Sequence, residues 1–443
     1  MLKRFVSKLF CCAAVVAATQ SAAYAQETLA ITGAKVITLA GDTLEKGIVL
    51  IRDGKIEAVG TDIKIPLEAK VIDASGQVVM PGFIDSHTSE GMGQANERNE
   101  NVPFLSVVDG IDPVVDYFEE CRRNGITTSA ILPGNNTMIG GQGVVLKTAG
   151  IYVNDMIVKR DTGIKISLRP SSGSRMGHIA RLRKELDKAK QALEKKKSGE
   201  ASDVKPQENA PAQPETPRPA EGENAEAAPQ DGAAPPAAEA NQGVDALVAM
   251  LEGKLPAFIY CETAMDVTTA LALIDEYSLK AKFVLGKDTY KAASLLAGRN
   301  EPVILDPTLI FWETDPRTQE DKKIVLTKVF SDAKVPFVFQ LENSGAGLTS
   351  AGSYLWYQAA VAVKHGMPEA DALKCMSQVP AKLLGIDEFV GTIEAGKDAD
   401  IVILSGEPLR LSTWVNKTLV RGKVVYDRST DTKLERLLAP SAE

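Results

Sequence analysis

Hydrophobic and polar positions change period along this chain. Residues 28–80 hold short apolar runs broken by glycine, "LAITGAKVITLAG" and "GIVLIRDGKIEAVG" among them. Asp53-Gly54 between two such runs is a hairpin signal. The same texture returns at residues 390–427, in "VGTIEAGKDADIVILSGEP" and "KTLVRGKVVYD". Two β-rich ends around a different middle predict one small β-sandwich domain built from residues 26–80 and 386–430, with 431–443 as a tail. The middle, 81–385, alternates. Apolar runs at 78–85, 127–133, 163–168, 256–262, 282–286, 302–307 and 336–342 read as strands. Segments such as "IDPVVDYFEECRRNG", "AMDVTTALALIDEYSL", "TQEDKKIVLTKVFSDA" and "EADALKCMSQVPAKLLG" carry apolar residues at helical spacing. Strands without a wet face, each followed by a helix, predict an α/β fold with a parallel sheet covered by helices. Seven or eight such units fit a (β/α)8 TIM-like barrel, with a doubly wound open sheet as the alternative.

Two stretches break the pattern. Lys3, Arg4 and Lys8 precede an apolar run at 9–18, and Ala23-Tyr24-Ala25 supplies a small-x-small cleavage site before Gln26. That is a signal-peptide pattern over residues 1–25, its apolar run too short to span a bilayer. It predicts a periplasmic or secreted protein without a membrane span after cleavage. Residues 198–242, rich in Pro, Ala and Glu and without an aromatic, cannot bury enough apolar surface to offset their ordering entropy. They read as a disordered insertion between barrel elements.

Composition narrows the chemistry. A net charge of -8, without a basic face or basic-aromatic cluster, argues against nucleic acid. Cys121, Cys261 and Cys375 are odd in number and far apart, so they read as buried thiols and not a disulfide framework. Gly140-Gly141-Gln142-Gly143 lacks the Lys-Ser/Thr of a phosphate loop and reads as a loop where backbones approach closely. The chain has three histidines: His87, His178 and His365.

The order β-rich start, "VVMPGFIDSH", alternating middle, "VGTIEAGKDADIVIL" and "TLVRGKVVYD" resembles the amidohydrolase superfamily, in particular its exported imidazolonepropionase-like branch. "GITTSAILPGNNTMIGGQGVVLKTAG" and "SRMG" resemble segments of the same branch. The resemblance implies a (β/α)8 barrel with a composite β-sandwich. It also implies hydrolysis of non-peptide C–N bonds by metal-activated water, with ligands at the ends of several strands. A His-x-His pair would present two imidazoles on one side of the first strand. Here His87 stands and Ser89 replaces the second histidine. Tyr260 and Glu262 fall where a third is implied, and Leu285 where a fourth is. Glu342 falls where the last strand would carry a catalytic aspartate, and Lys165 near the position of a bridging lysine. His87, Lys165 and Glu262 are therefore the candidate ligands for zinc or a similar divalent ion, and Glu342 the candidate catalytic acid. Asp85, Ser89, Arg175, His178 and Tyr260 are candidates for the pocket. One imidazole is a poor zinc site. Two readings follow: a non-catalytic superfamily member, binding a small molecule or partnering an active paralogue or a second copy of itself, and a metal-dependent hydrolase with an altered ligand set.

Overall fold

A computed structural model describes residues 27–198, 237–341 and 354–438. The proposed signal peptide, most of the insertion and Glu342 lie outside the described residues. The chain forms two compact units: one from both ends, up to Gly82 and from Glu388, and one from Phe83 to Asp387.

In the unit built from both ends, strands β1 (Thr28–Val36), β2 (Leu44–Arg52), β3 (Lys55–Gly60), β4 (Lys70–Asp73) and β5 (Val78–Pro81) come from the early chain. The late chain adds strands Ile401–Leu404, Val415–Val420 and Lys423–Asp427. One hydrogen-bonded path joins seven of the eight, β4 branching off it by pairing with β1, and Ile401–Leu404 pairs antiparallel with β5. The β2–β3 hairpin turns at Asp53 and Gly54, with φ of 50° and 79°. Positive φ at both central residues gives a turn whose twist matches the strands, and Gly54 takes it without a Cβ penalty. Ile31, Val49, Ile51 and Ile56 share a core with Ile401, Ile403 and Leu419, so both ends of the chain are needed to fill it.

The second unit holds β6 (Phe83–Thr88), β7 (Ile126–Ile131), β8 (Ile139–Gln142), β9 (Val144–Lys147), β10 (Ile157–Lys159), β11 (Ile164–Ser167), β12 (Ala257–Thr263), β13 (Ala281–Asp288), β14 (Val303–Ile304), β15 (Ile310–Thr314), β16 (Asp321–Val325) and β17 (Phe337–Val338). Its strands make two arcs, β10-β9-β7-β6 and β17-β14-β13-β12-β11-β8. β6 and β7 run parallel, as do β11, β12, β13, β14 and β17 in turn. The order fits a TIM-like (β/α)8 barrel. Between the arcs, consecutive β9 and β8 pair antiparallel with β7 and β11 respectively. The glycine-rich stretch around 140–143 is thus strand and not loop, although close backbone approach is the reason for its glycines. A Cβ at Gly141 would lie 2.6 Å from the Leu105 carbonyl oxygen, and one at Gly143 2.9 Å from that of Ile131.

Four further expectations change. "VVMPGFID" is two strands, broken at Gly82, whose N–H bonds to the Asp400 carbonyl while Phe83 N–H bonds to Gly125. Residues 318–333 are not one helix. Residues 321–325 pair with β15, Ile310 opposite Val325, and the helix covers only Leu326–Asp332. Cross-strand pairing with the aromatic run Phe311-Trp312 overrides the helical spacing. Residues 237–251 form a helix, so the insertion ends earlier than 242: Leu247 and Met250 are buried, as are Leu182, Leu186 and Ala189 of the facing helix Arg175–Ser198. The proposed tail is helical over Thr432–Leu438. Cys121, Cys261 and Cys375 are buried thiols.

Candidate functional site

Every side chain of β6 is buried. Strand alternation places Asp85 and His87 on one side of it. The Asp85 carboxylate accepts three hydrogen bonds. Oδ1 takes the Leu341 N–H at 3.1 Å and the His87 N–H at 3.4 Å, and Oδ2 takes the Tyr117 hydroxyl at 3.1 Å. Tyr117 OH lies 2.5 Å from Ser129 Oγ. One carboxylate therefore ties β6 to the helix Asp116–Arg123, to β7 through Ser129, and to the chain after β17. Burial pushes the Asp85 carboxyl up to about 7, against the pull of the Leu341, Tyr117 and His87 donors.

His87 is held at both ring nitrogens. Nδ1 lies 2.7 Å from Gln340 Oε1, and Gln340 Nε2 donates to the Leu305 carbonyl at 2.8 Å. The second contact fixes the amide with its oxygen toward the imidazole, so Nδ1 carries the proton and Nε2 the lone pair. That lone pair faces Lys165 Nζ, to which Nε2 is hydrogen-bonded. The Lys165 amine also lies 5.7 Å from the centroid of the Tyr260 ring. Lys165 is the second residue of β11, opposite Phe258, and Tyr260 lies in the middle of β12, two residues further on in the register and opposite Ser167. Both His87 and Lys165 are fully buried. Burial, with the neighbouring Lys165 amine adding to it, holds the imidazole well below its usual value, and burial holds the lysine well below its own.

This donor set does not fit a divalent ion. The imidazole nitrogen a metal would take is bonded to an amine, and the Asp85 carboxylate already accepts three protein donors. Among the described residues no group of three His, Cys, Asp or Glu side chains gathers as ligands. Glu262 is not beside His87. It pairs with Arg169 at 3.4 Å, both side chains more than a third exposed. Arg175 is also elsewhere, ion-paired with Asp266, which closes a capping box with Thr263 at the start of helix Ala264–Tyr277. His178 is buried in helix Arg175–Ser198, Nε2 donating to the Ser167 carbonyl at 2.9 Å, and so braces that helix on β11. Ser89 is buried just past β6. His365 is the C-cap of helix Leu355–Lys364. Of the residues singled out in the sequence, the structure brings together Asp85, His87, Lys165 and Tyr260. It adds Gln340, Tyr117 and Ser129, which sequence reasoning missed. An amide inside the apolar run "PFVFQLE" was the available signal for Gln340, and a hydroxyl on the apolar face of a helix the signal for Tyr117.

Comparison with known proteins agrees with this frame. Residues 330–425 match the amidohydrolase family. The solved amidohydrolase from Thermotoga maritima MSB8 superposes with a TM-score of 0.73 at 25% identity, over 90% of this chain and 100% of that one. The chain belongs to the amidohydrolase superfamily. It is 23% identical over 430 residues to amidohydrolase tasK of Hapsidospora irregularis, an alignment covering 87% of this superfamily member but only 40% of that longer protein. Imidazolonepropionase of Brevibacillus brevis is 43% identical over 65 residues, 13% of this chain and 15% of that one.

Proposed function

We propose that this superfamily member is a non-catalytic binding module of the cell envelope, metal-free at its barrel mouth, taking a small molecule there or acting beside an active paralogue. The observation that carries the reading is the engagement of His87 at both nitrogens, Nδ1 by Gln340 and Nε2 by Lys165. Hydrolysis by metal-activated water needs about three good protein ligands and an open position. Here one imidazole remains, and its lone pair serves a lysine. The signal-peptide pattern at residues 1–25 supports a location in the periplasm or outside the cell.

Elemental analysis of the purified, cleaved protein tests this directly. The expected result is well under one equivalent of zinc, iron or manganese, with no change in thermal midpoint on chelation. One equivalent of tightly held metal, lost in His87→Ala together with hydrolysis of a C–N bond, would overturn the proposal in favour of a working hydrolase. Co-purification with a paralogue that keeps the missing histidines would identify the partner.

A further inference from the structure

We propose that the cavity between the loop after β6 and strand β8 binds a short aliphatic amine, cationic at neutral pH and carrying an oxygen acceptor. Neither His87 nor Lys165 lines this cavity, so its chemistry stands apart from the metal question at the strand ends.

The loop after β6 is stitched to the chain around β8. Gly134 N–H bonds to the Ala95 carbonyl at 2.7 Å, Ile139 N–H to that of Glu100 at 2.8 Å and Gln142 N–H to that of Leu105 at 2.8 Å. Bridges pair Asn101 with Ile139 and Ser106 with Gln142. These bonds fix the loop and leave a cavity of about 260 Å³ beneath it. Gly140 and Gly141 add wall without side chains that would fill the space. At about 30 Å³ for a water, the volume admits roughly nine heavy atoms. Preformed concave spaces built by loops at the C-terminal ends of barrel strands are where TIM-like barrels take ligands.

The walls set the ligand's chemistry. Met92, Leu105, Val107 and Pro133 offer an apolar side to a short carbon chain. Glu97 and Asp109 bring two carboxylates, and no lining residue is basic. Both acids are exposed, and among the described residues neither carboxylate makes an ion pair or a hydrogen bond. Two solvated carboxylates are by themselves ordinary surface. Here a buried donor stands with them. Thr137 lines the same cavity and is only 1% exposed. Its Oγ1 accepts the Glu97 N–H at 3.1 Å, and its own hydroxyl proton meets no acceptor among the described residues. That bond also ties Glu97 to the threonine, so charge and free donor share one wall.

A buried polar group without a partner costs free energy, so a ligand oxygen at Thr137 gains what it would not gain at an exposed hydroxyl. An ammonium at the carboxylates and an oxygen at Thr137, joined by a few methylenes along the apolar side, satisfy all three features at once. The carboxylates repel an anion. A divalent cation wants about six to eight oxygen ligands, which a wall with so much carbon does not supply.

Calorimetric titration tests this. The full mature protein is titrated at about pH 7 and low ionic strength with 4-aminobutan-1-ol, butylamine and butane-1,4-diol, which share one carbon chain. The amino alcohol should bind about tenfold tighter than the diol, which lacks the charge, and more tightly than butylamine, which lacks the acceptor. Glu97→Gln and Asp109→Asn should each weaken it severalfold, as should added salt in the wild type. Both positions are exposed, so neither substitution threatens the fold. Equal binding of diol and amino alcohol, binding of neither, or binding untouched by both substitutions would overturn the proposal. Calcium that displaces the amino alcohol at equivalent concentration would overturn it in favour of a metal site.

Discussion

Asp85 couples the strand-end network to pH. Its carboxyl is fully buried and raised from the ordinary 3.8 to about 7. Asp85→Asn keeps the size and an acceptor for the Leu341 N–H but removes the proton equilibrium. The folded-state value lies above the unfolded one, so between about pH 4 and pH 7 the native protein holds a proton that the unfolded chain has released. The contribution of this group to stability is fully present below about pH 4 and is lost as pH rises through 7. Each unit is worth about 1.4 kcal/mol, so from roughly pH 8 down to pH 5 Asp85 should add about 2.5 kcal/mol. Urea unfolding of both proteins at several pH values isolates this term, because the other titrating groups are common to both and cancel in the difference. Wild type should gain on Asp85→Asn by about 2.5 kcal/mol over that range. A flat difference, or one that grows as pH rises, would show that the Leu341, Tyr117 and His87 donors outweigh burial and keep the carboxylate ionised.

Two backbone and packing predictions follow. Gly141→Ala should cost about 1–3 kcal/mol by urea unfolding, because the new methyl meets the Leu105 carbonyl that accepts the Gln142 N–H, while Gly93→Ala, with nothing within 4 Å, should stay within about 0.5 kcal/mol; equal effects would remove the steric account of the glycine strand. Leu247→Ala should cost about 2–5 kcal/mol, since Leu247 is only 2% exposed in a helix that the sequence pattern partly assigned to the insertion; a change under 0.5 kcal/mol would show that this helix contributes nothing to the core.

What the sequence disclosed follows from how local each signal is. Apolar runs and the Asp53-Gly54 turn are set by a few adjacent residues, so the β-rich ends and most strands of the larger unit could be read directly. β8 could not, because Gly140 and Gly141 carry no side chain to show a period. The 310–325 hairpin was hidden because the helical spacing of 321–325 is a weak preference beside the pairing of Ile324 with Phe311. At the site, Asp85, His87, Lys165 and Tyr260 were legible as residue types at strand ends. Their partners were not. His87 and Gln340 are separated by 253 residues, and Leu341 reaches Asp85 across 256. No local pattern records such a pairing. Glu262, Arg175 and His178 were drawn toward the site by position in the sequence, yet two are held by ion pairs and one by a backbone carbonyl.

The choice of an amide at position 340 explains how the remaining imidazole and the lysine coexist. A carboxylate on Nδ1 would stabilise the imidazolium, and a protonated Nε2 would then face the Lys165 amine donor to donor. A neutral amide, aimed by the Leu305 carbonyl, orders the same tautomer without adding charge. His87 stays neutral, Nε2 keeps its lone pair, and Lys165 has an acceptor, although among the described residues it makes no ion pair with a carboxylate. Leaving either group alone in the interior would cost about 1–3 kcal/mol for an unmet hydrogen bond, and more for a charge. The lysine thus fills the role that a cation on Nε2 would otherwise fill, and the strand ends close on themselves. The Gln340 amide, 175 residues further along the chain than Lys165, therefore decides which ring nitrogen of His87 meets the amine.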